Sequence, residues 1–550
     1  MSEPARRAAI ARSALLFAVG AAFAAWAGWF VYESSFVGHD GVRRFCLFDD
    51  AMISMRYAWN LAHGEGLVWN PGERVEGFTN LLWTLYMTIW TGLLSKSAAV
   101  LAVQISGGAL ALAAGFFAAL VAERLAVGTE LEGDPLVPAL ALAAAVFYYP
   151  LAYWSLMGME TGLLAALLTA AVWAALRADG DARPALVVPV LLGLAFLTRP
   201  DAAIGAALVL GCRALGLWRR PGWLRALAVE AAVLAAFVAA ASIFRLAYYG
   251  SLTPNTYLLK MTGLELAFRL ENGLGFLEPF FESAALPLGL IALAAVVDGS
   301  RPKLLIAALA LAAVGYQIWV GGDPWRYWRQ IAPVMPLATA LVVVELALLL
   351  RRRLAGTALE RFGRLRFAPP PAVLRGALLV GLVWIVAAAL NERFEQEQWF
   401  EKPPYTVKSN RANVGVALAL RDLARPGATV GVTWAGAIPY YTGLRAVDFL
   451  GKSDPHIASL PPDTSGRVGW KGMKSVPGHN KYDLEYSIKE RRPTFIQTFK
   501  WGRQNLRRWV REHYRTVRHL GVGLRLERGS EHIDWSKLGR RREADGEGGR

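Results

Sequence analysis

Two adjacent carboxylates, Asp49 and Asp50, follow an apolar segment, residues 13–32, that is long enough to cross a bilayer. A pair of acids just beyond a membrane helix is costly unless water, a cation or a substrate meets it there. A carboxylate fixed within hydrogen-bond reach of a hydroxyl, and partly desolvated, can act as a general base. The chemistry this suggests is removal of a proton from an acceptor hydroxyl as it attacks a sugar carbon. Asp50 ahead of Ala51-Met52-Ile53-Ser54-Met55-Arg56 is also good helix N-capping chemistry. Each aspartate can take one of the two roles. The polar run goes on through Asn70-Pro71-Gly72-Glu73-Arg74-Val75-Glu76-Gly77-Phe78-Thr79-Asn80, where Glu76 and Asn80 are assigned to substrate.

Five cations, Arg56, Arg199, Lys260, Arg326 and Arg329, sit at the ends of different apolar segments. A phosphate or diphosphate headgroup at a membrane surface needs such groups, and Arg binds it through two parallel hydrogen bonds. The ordinary alternative is snorkelling to lipid headgroups. Glu160, in Gly158-Met159-Glu160-Thr161, is a second acid between apolar spans, a substrate ligand or a partner for one of those arginines. Asn255 and Tyr257, in the run Tyr249 to Lys260, carry amide and aromatic groups that suit a sugar, or else only a Pro/Gly turn. Asp323, in Gly321-Gly322-Asp323, joins the substrate set. Asp448, His456 and His479 stand out in the polar C-terminal part, where acceptor binding or closure over the donor is the expected role. Two histidines near acids raise a divalent metal as an alternative, but the set has no ligand spacing, so no metal or other cofactor is expected. There is no Walker loop, GxGxxG or HExxH, which argues against nucleotide-driven transport and zinc proteolysis.

What must position these groups is a membrane domain. Of 550 residues 55% are hydrophobic, and the mean hydropathy of +0.33 is too high for a soluble chain of this size. Twenty Trp and seventeen Tyr suit interfacial belts. The net charge of +16 is read as cytoplasmic loop charge, and no nucleic acid is expected as partner. Cys46 and Cys212 fall on opposite sides and cannot pair. The N-terminal apolar run has no small-residue cleavage site and reads as a retained anchor.

Arg6, Arg7 and Arg12 put the N-terminus in the cytoplasm. Apolar segments follow at roughly 98–122, 135–152, 162–177, 185–198, 202–217, 224–245, 284–297, 303–320, 331–350 and 373–390. With the first they make about eleven transmembrane helices. Most loops assigned to the cytoplasm are Arg-rich. A crossing at 79–95 would invert every later basic loop, so that segment is expected to be interfacial or re-entrant. The run from Tyr249 reads as an outer loop reaching to about Ser283, and Pro150 and Pro200 as helix breaks. Residues 1–390 therefore form a transmembrane catalytic domain with a first outer loop at 33–97. Residues 391–540, with β-like runs at 428–434, 446–449 and 494–497, read as a small α/β extracytoplasmic domain. Residues 541–550 read as a disordered tail.

Taken in order, Asp49-Asp50-Ala51-Met52-Ile53-Ser54, the 70–80 run, Gly158-Met159-Glu160-Thr161, Thr198-Arg199-Pro200-Asp201, Pro254-Asn255-Thr256-Tyr257, Gly321-Gly322-Asp323 and Gly478-His479 resemble the GT-C membrane glycosyltransferases. The nearest type is the actinobacterial terminal β-(1→2)-arabinofuranosyltransferase. The resemblance covers roughly residues 40–500. It implies a polyprenyl-phosphate sugar donor, decaprenyl-phosphoryl arabinofuranose in the arabinan enzymes. It also implies an active site on the outer face of a bacterial inner membrane and an acid of the first outer loop as base. Carried over, the base is Asp49 or Asp50, and Arg199, Lys260, Arg326 and Arg329 face the donor phosphate. The C-terminal segment is smaller than a large carbohydrate-binding module, which leaves the acceptor, a glycan or glycolipid, open. The expected reaction is inverting sugar transfer. A mannosyl- or aminoarabinosyl-type transferase of the same fold class is the alternative enzyme. A lipid-linked-sugar flippase would instead place acids near the bilayer midplane in repeated halves; here the acids cluster on one side and no repeat is visible.

Overall fold

The computed structural model describes residues 3–354, 370–464, 473–499 and 504–538. The tail expected at 541–550 lies outside them. Helix α1 (Glu3–Ser34) leads through a two-strand pair, β1 (Phe36–Val37) and β2 (Arg43–Arg44), into α2 (Asp49–Ala62), α3 (Leu81–Leu93) and α4 (Lys96–Ala126). Helices α5 (Leu136–Val146), α6 (Tyr149–Leu156), α7 (Thr161–Arg177), α8 (Val187–Thr198), α9 (Ala202–Leu217) and α10 (Trp223–Tyr249) follow. A short α11 (Asn255–Met261) precedes α12 (Leu266–Asp298), α13 (Arg301–Trp319), α14 (Met335–Leu354) and α15 (Pro371–Asn391).

Among the described residues, seven helices are long and apolar enough to cross a membrane: α1, α4, α10, α12, α13, α14 and α15. An eighth span arises if α5 and α6, bent by 57°, count together. Pro150 lies in the first turn of α6, where its missing N–H is harmless, and marks the bend inside the expected 135–152 segment. Helices stand at the other three expected segments as well, but α7, α8 and α9 span only about 26, 18 and 24 Å, less than a full hydrocarbon layer. Helix α3 is about 20 Å long, with Leu85, Ile89 and Leu93 exposed, as suits a segment that dips into the interface.

One expectation is corrected. The outer loop drawn to Ser283 ends at Glu265, because α12 starts at Leu266 and runs for 33 residues. Arg269, Glu271, Glu278 and Glu282 made this stretch look like loop. Leu266, Leu270, Leu274, Leu277 and Phe280 nevertheless keep a helical spacing through it.

Small residues let the bundle close. A Cβ on Gly107 of α4 would run into the Ser155 carbonyl of α6, and one on Gly162 of α7 would meet the Ser155 side chain. Close backbone approach of this kind is how membrane helices associate without a hydrophobic driving force between them. The basic residues gather at one end, where Arg12 pairs with Glu123, Arg351 with Asp134 and Arg301 with Asp179. The polar motifs gather at the other.

The C-terminal part packs onto that other end. Helix α16 (Val407–Leu423) and a sheet of order β4-β3-β5-β7-β6 form it: β3 (Thr429–Val432), β4 (Arg445–Asp448), β5 (Phe495–Ile496), β6 (Tyr514–His519) and β7 (Val522–Glu527). The first three are the β-like runs named above and pair in parallel; β6 and β7 form an antiparallel hairpin on one side. The hairpin turn, Leu520-Gly521, has φ of +46° and +81°. Helix α17 (Ala437–Thr442) follows β3, and α18 (Gln504–His513) precedes β6. A hydrophobic cluster joins the two parts, with Ile53, Tyr57 and Leu81 packed among Leu420, Val430 and Leu526.

Candidate functional site

The approach to α2 is fixed before the helix begins. Phe48 packs edge-on against Trp154 and Trp325, each at 4.9 Å, and Asn410 donates to the carbonyls of Cys46 and Leu47. Asp49 and Asp50 then occupy the first turn, where the helix dipole favours negative charge.

The two aspartates part company at once. Asp49 turns toward the C-terminal domain and accepts from the backbone N–H of Gly436 at 3.1 Å and of Ala437 at 2.9 Å. Burial pushes its carboxyl up to about 6, against the pull of those N–H groups. Asp50 faces a cavity of about 190 Å³. Its Oδ2 accepts from Arg329 Nη1 at 2.9 Å, and its Oδ1 is bonded to Lys452 Nζ. Burial works to raise this carboxyl, but Lys452, Arg329 and Lys260 outweigh it and hold it below the usual carboxylate range.

Arg329 is positioned by the 320–331 loop. Its Nε donates to Asp323 Oδ2 at 2.8 Å, and Asp323 in turn accepts from the Trp325 N–H. Tyr327 and Trp328 hold φ of +74° and +42°, a conformation that costs free energy in residues other than glycine. The Tyr327 hydroxyl donating to Glu397 and its carbonyl accepting from Trp154 Nε1 keep it there.

The facing wall is a chain of hydrogen bonds. Ser54 donates to Asn80, Asn80 Nδ2 to Glu160 Oε2 at 3.0 Å, and Arg199 Nη1 to Glu160 Oε1 at 2.8 Å; Arg199 also pairs with Asp201. Lys260 completes the lining from α11. Burial, with Arg329 nearby, lowers its ammonium to about 8.

The cavity thus gathers Asp50, Asn80, Glu160, Arg199, Tyr257, Lys260, Asp323 and Arg329 from the sequence-derived set. Others lie around it. Asp49 is behind the wall. Arg56 donates to the carbonyls of Trp69, Gly443 and Leu444, joining the first loop to the C-terminal domain. Glu76 forms a buried ion pair with Arg245 of α10 at 3.0 Å. Asn255 donates to the carbonyls of Gly451 and Lys452, and Asp448 accepts from the N–H groups of Leu450 and Ser453, so both shape the loop that carries Lys452. His479 packs edge-on against Trp325 at 5.5 Å; burial lowers its imidazole to about 3, so it is neutral. Arg326 is exposed and outside the lining. His456 is exposed on the Tyr486 ring, 3.4 Å from Asp483. Among the described residues, no group of three or more His, Cys, Asp or Glu could hold a metal.

Lys452 is absent from the sequence-derived set, although Asp448, four residues before it, belongs to that set. Its only signal is a lysine directly after a glycine, and Gly451 has φ of +75°. Thr256 and Gln330 also line the cavity, with Thr256 Oγ1 and Gln330 Oε1 buried and unbonded among the described residues.

A family described as a domain of unknown function (DUF8728) matches residues 404–538. The terminal β-(1→2)-arabinofuranosyltransferase of Mycobacterium tuberculosis is 32% identical over 288 residues, which is 48% of this chain and 43% of that one. The protein of the same name from Corynebacterium glutamicum is 27% identical over 59% of this chain and 49% of its own. The matches span less than half the length of these curated relatives. Among solved structures, ArnT from Cupriavidus metallidurans bound to undecaprenyl phosphate is 12% identical, with a TM-score of 0.55, over 93% of this chain and 97% of that one. Identity this low shows the fold alone, which is GT-C-like, as in ArnT.

Proposed function

We propose that this chain is an integral-membrane glycosyltransferase that moves a sugar, arabinofuranose on the strength of the arabinofuranosyltransferase likeness, from a polyprenyl-phosphate donor to a glycan or glycolipid acceptor. The observation that carries the reading is Asp50, set in a cavity whose other charged groups include Lys260, Arg329, Lys452 and Arg199. A carboxylate beside a cluster of cations, in a pocket at one end of a membrane bundle, suits a hydroxyl nucleophile and a lipid-borne phosphate brought together.

In this reading Asp50 takes the proton of the acceptor hydroxyl. The oxygen attacks the anomeric carbon from the face opposite the phosphate and a new C–O bond forms. The bond from that carbon to the phosphate oxygen breaks, and its electron pair leaves on the polyprenyl phosphate. The configuration inverts. The leaving group carries stable charge, so positioning and electrostatics supply the catalysis and the scheme includes no metal. Asp49 acts as a structural clamp on the C-terminal domain. The cavity end faces the extracytoplasmic side of a bacterial inner membrane, with the Arg-rich end inside.

The test is transfer from labelled polyprenyl-phosphate sugars, arabinofuranosyl, mannosyl and aminoarabinosyl, in membranes carrying the protein. Asp50→Asn abolishes transfer without loss of donor binding, and wild-type turnover in that variant rejects the assignment. The labelled donor that is consumed identifies the sugar.

A further inference from the structure

Among the described residues four cations line the cavity, and they are not equally available. Arg199 is held by two carboxylates, Glu160 and Asp201. Arg329 gives Nε to Asp323 and Nη1 to Asp50. Lys452 has Asp50 as its ion-pair partner among the described residues. Lys260 makes no ion pair among the described residues. Among the described residues, a phosphate arriving beside Lys260 therefore competes with Asp50 alone for the ammonium of Lys452 and for the Nη1 arm of Arg329.

Asp50, for its part, is occupied. Its two oxygens each carry a cation, one from the 320–331 loop and one from the C-terminal domain. A carboxylate so committed is a poor acceptor for a hydroxyl proton, because both the charge and the lone pairs it would use are engaged.

We propose that Lys452 and Arg329 are shared cations, held on Asp50 when the donor is absent and handed to the donor phosphate when it binds, so that the phosphate itself releases the base. The inference rests on the transferase reading above and adds an order of events to it: donor first, acceptor second. It also assigns the C-terminal domain a part in the catalytic centre through Lys452. The loop that carries it is built for the task. Asn255 of α11 holds the Gly451 and Lys452 carbonyls, and Asp448 holds the Ser453 N–H, so the lysine is presented by a loop fastened to the same segment that supplies Lys260.

The test measures binding of undecaprenyl phosphate to the purified full chain in detergent, with thermal melts to establish that each variant is folded. Asp50→Asn frees both cations and binds the lipid phosphate about tenfold tighter than wild type, equivalent to about 1.4 kcal/mol. Lys452→Met binds it more weakly by a similar factor, and Lys452→Arg restores binding. Lysine fixed on Asp50 for structure alone would leave affinity unchanged in Asp50→Asn, and that result, or a folded Lys452→Met that binds like wild type, overturns the hand-over. A folded wild-type protein that binds no polyprenyl phosphate overturns the transferase reading itself, and the hand-over with it.

Discussion

The Asn80 amide donates to Glu160 Oε2 at 3.0 Å, linking the first connecting loop to the break between α6 and α7. Ser54 feeds this bond from α2, and Arg199 closes it on the other oxygen of Glu160 from the end of α8. One side of the cavity is therefore a single buried network drawn from four parts of the chain. Glu160→Gln keeps the shape and removes the charge that orients Arg199. Leaving part of a buried network unsatisfied costs on the order of 1–3 kcal/mol. Thermal melts in detergent should fall by a few degrees, and transfer should lose efficiency mainly through a higher donor KM. Unchanged melting and kinetics would mark the network as incidental.

Docking of the C-terminal domain depends on backbone contact at Gly436. A Cβ there would run into the Asp49 carbonyl and meet Met52 Cβ at 2.7 Å. Gly436→Ala should push the start of α17 away from α2 and break the N–H bonds to Asp49. Limited proteolysis should then cut faster between residues 391 and 407, with transfer lost in parallel. A protease-resistant, active Gly436→Ala protein would contradict this.

Lys260 sets a pH limit. Its ammonium is lowered to about 8 by burial, with Arg329 and Lys452 adding to the fall and Asp323 and Asp50 opposing it. A lowered lysine is charged below that value and neutral above it. A polyprenyl-phosphate sugar is a diester whose charge is constant across this range. Donor KM should therefore rise as pH passes from about 7 to about 9, and Lys260→Arg, charged throughout, should flatten the profile.

Transfer assayed with excess EDTA should run at the rate seen without it, because the proposed scheme draws its charge stabilisation from side chains. Loss of activity on chelation, restored by a divalent cation, would require a different scheme.

Sidedness can be read with an impermeant maleimide. Cys46 is fully buried, so a Cys212→Ala background is silent. Exposed Glu401 lies at the cavity end and exposed Arg220 at the Arg-rich end. In intact cells Glu401→Cys should label and Arg220→Cys should not, until the membrane is opened. The reverse pattern would invert the proposed topology.

Much of this protein is written in its local pattern. Long apolar runs must be helices in lipid, because no other structure satisfies their backbone there, so the bundle follows from composition and spacing. Charged loops alternate with polar motifs, and that alternation alone put Asp50, Glu160, Arg199, Lys260, Asp323 and Arg329 at one end. The β-like runs at 428–434, 446–449 and 494–497 were visible for the same reason: alternating β-branched residues between turns. The start of α12 was hidden because scattered acids diluted an apolar face that only helical packing reveals.

Tertiary structure alone decided which polar residue does what. Asp49 and Asp50 are identical in type and adjacent in sequence, yet consecutive residues on a helix point about 100° apart. One therefore meets the N–H groups of Gly436 and Ala437 and the other meets Arg329 and Lys452. Glu76 and Arg56 sit in the same motif-rich stretch but fold inward to hold elements together. Lys452 stands 402 residues from Asp50, and no local pattern can report a contact at that separation. Sequence fixes a residue's chemistry and its helix or strand; which partner neutralises a charge depends on distances that exist only once the chain has packed.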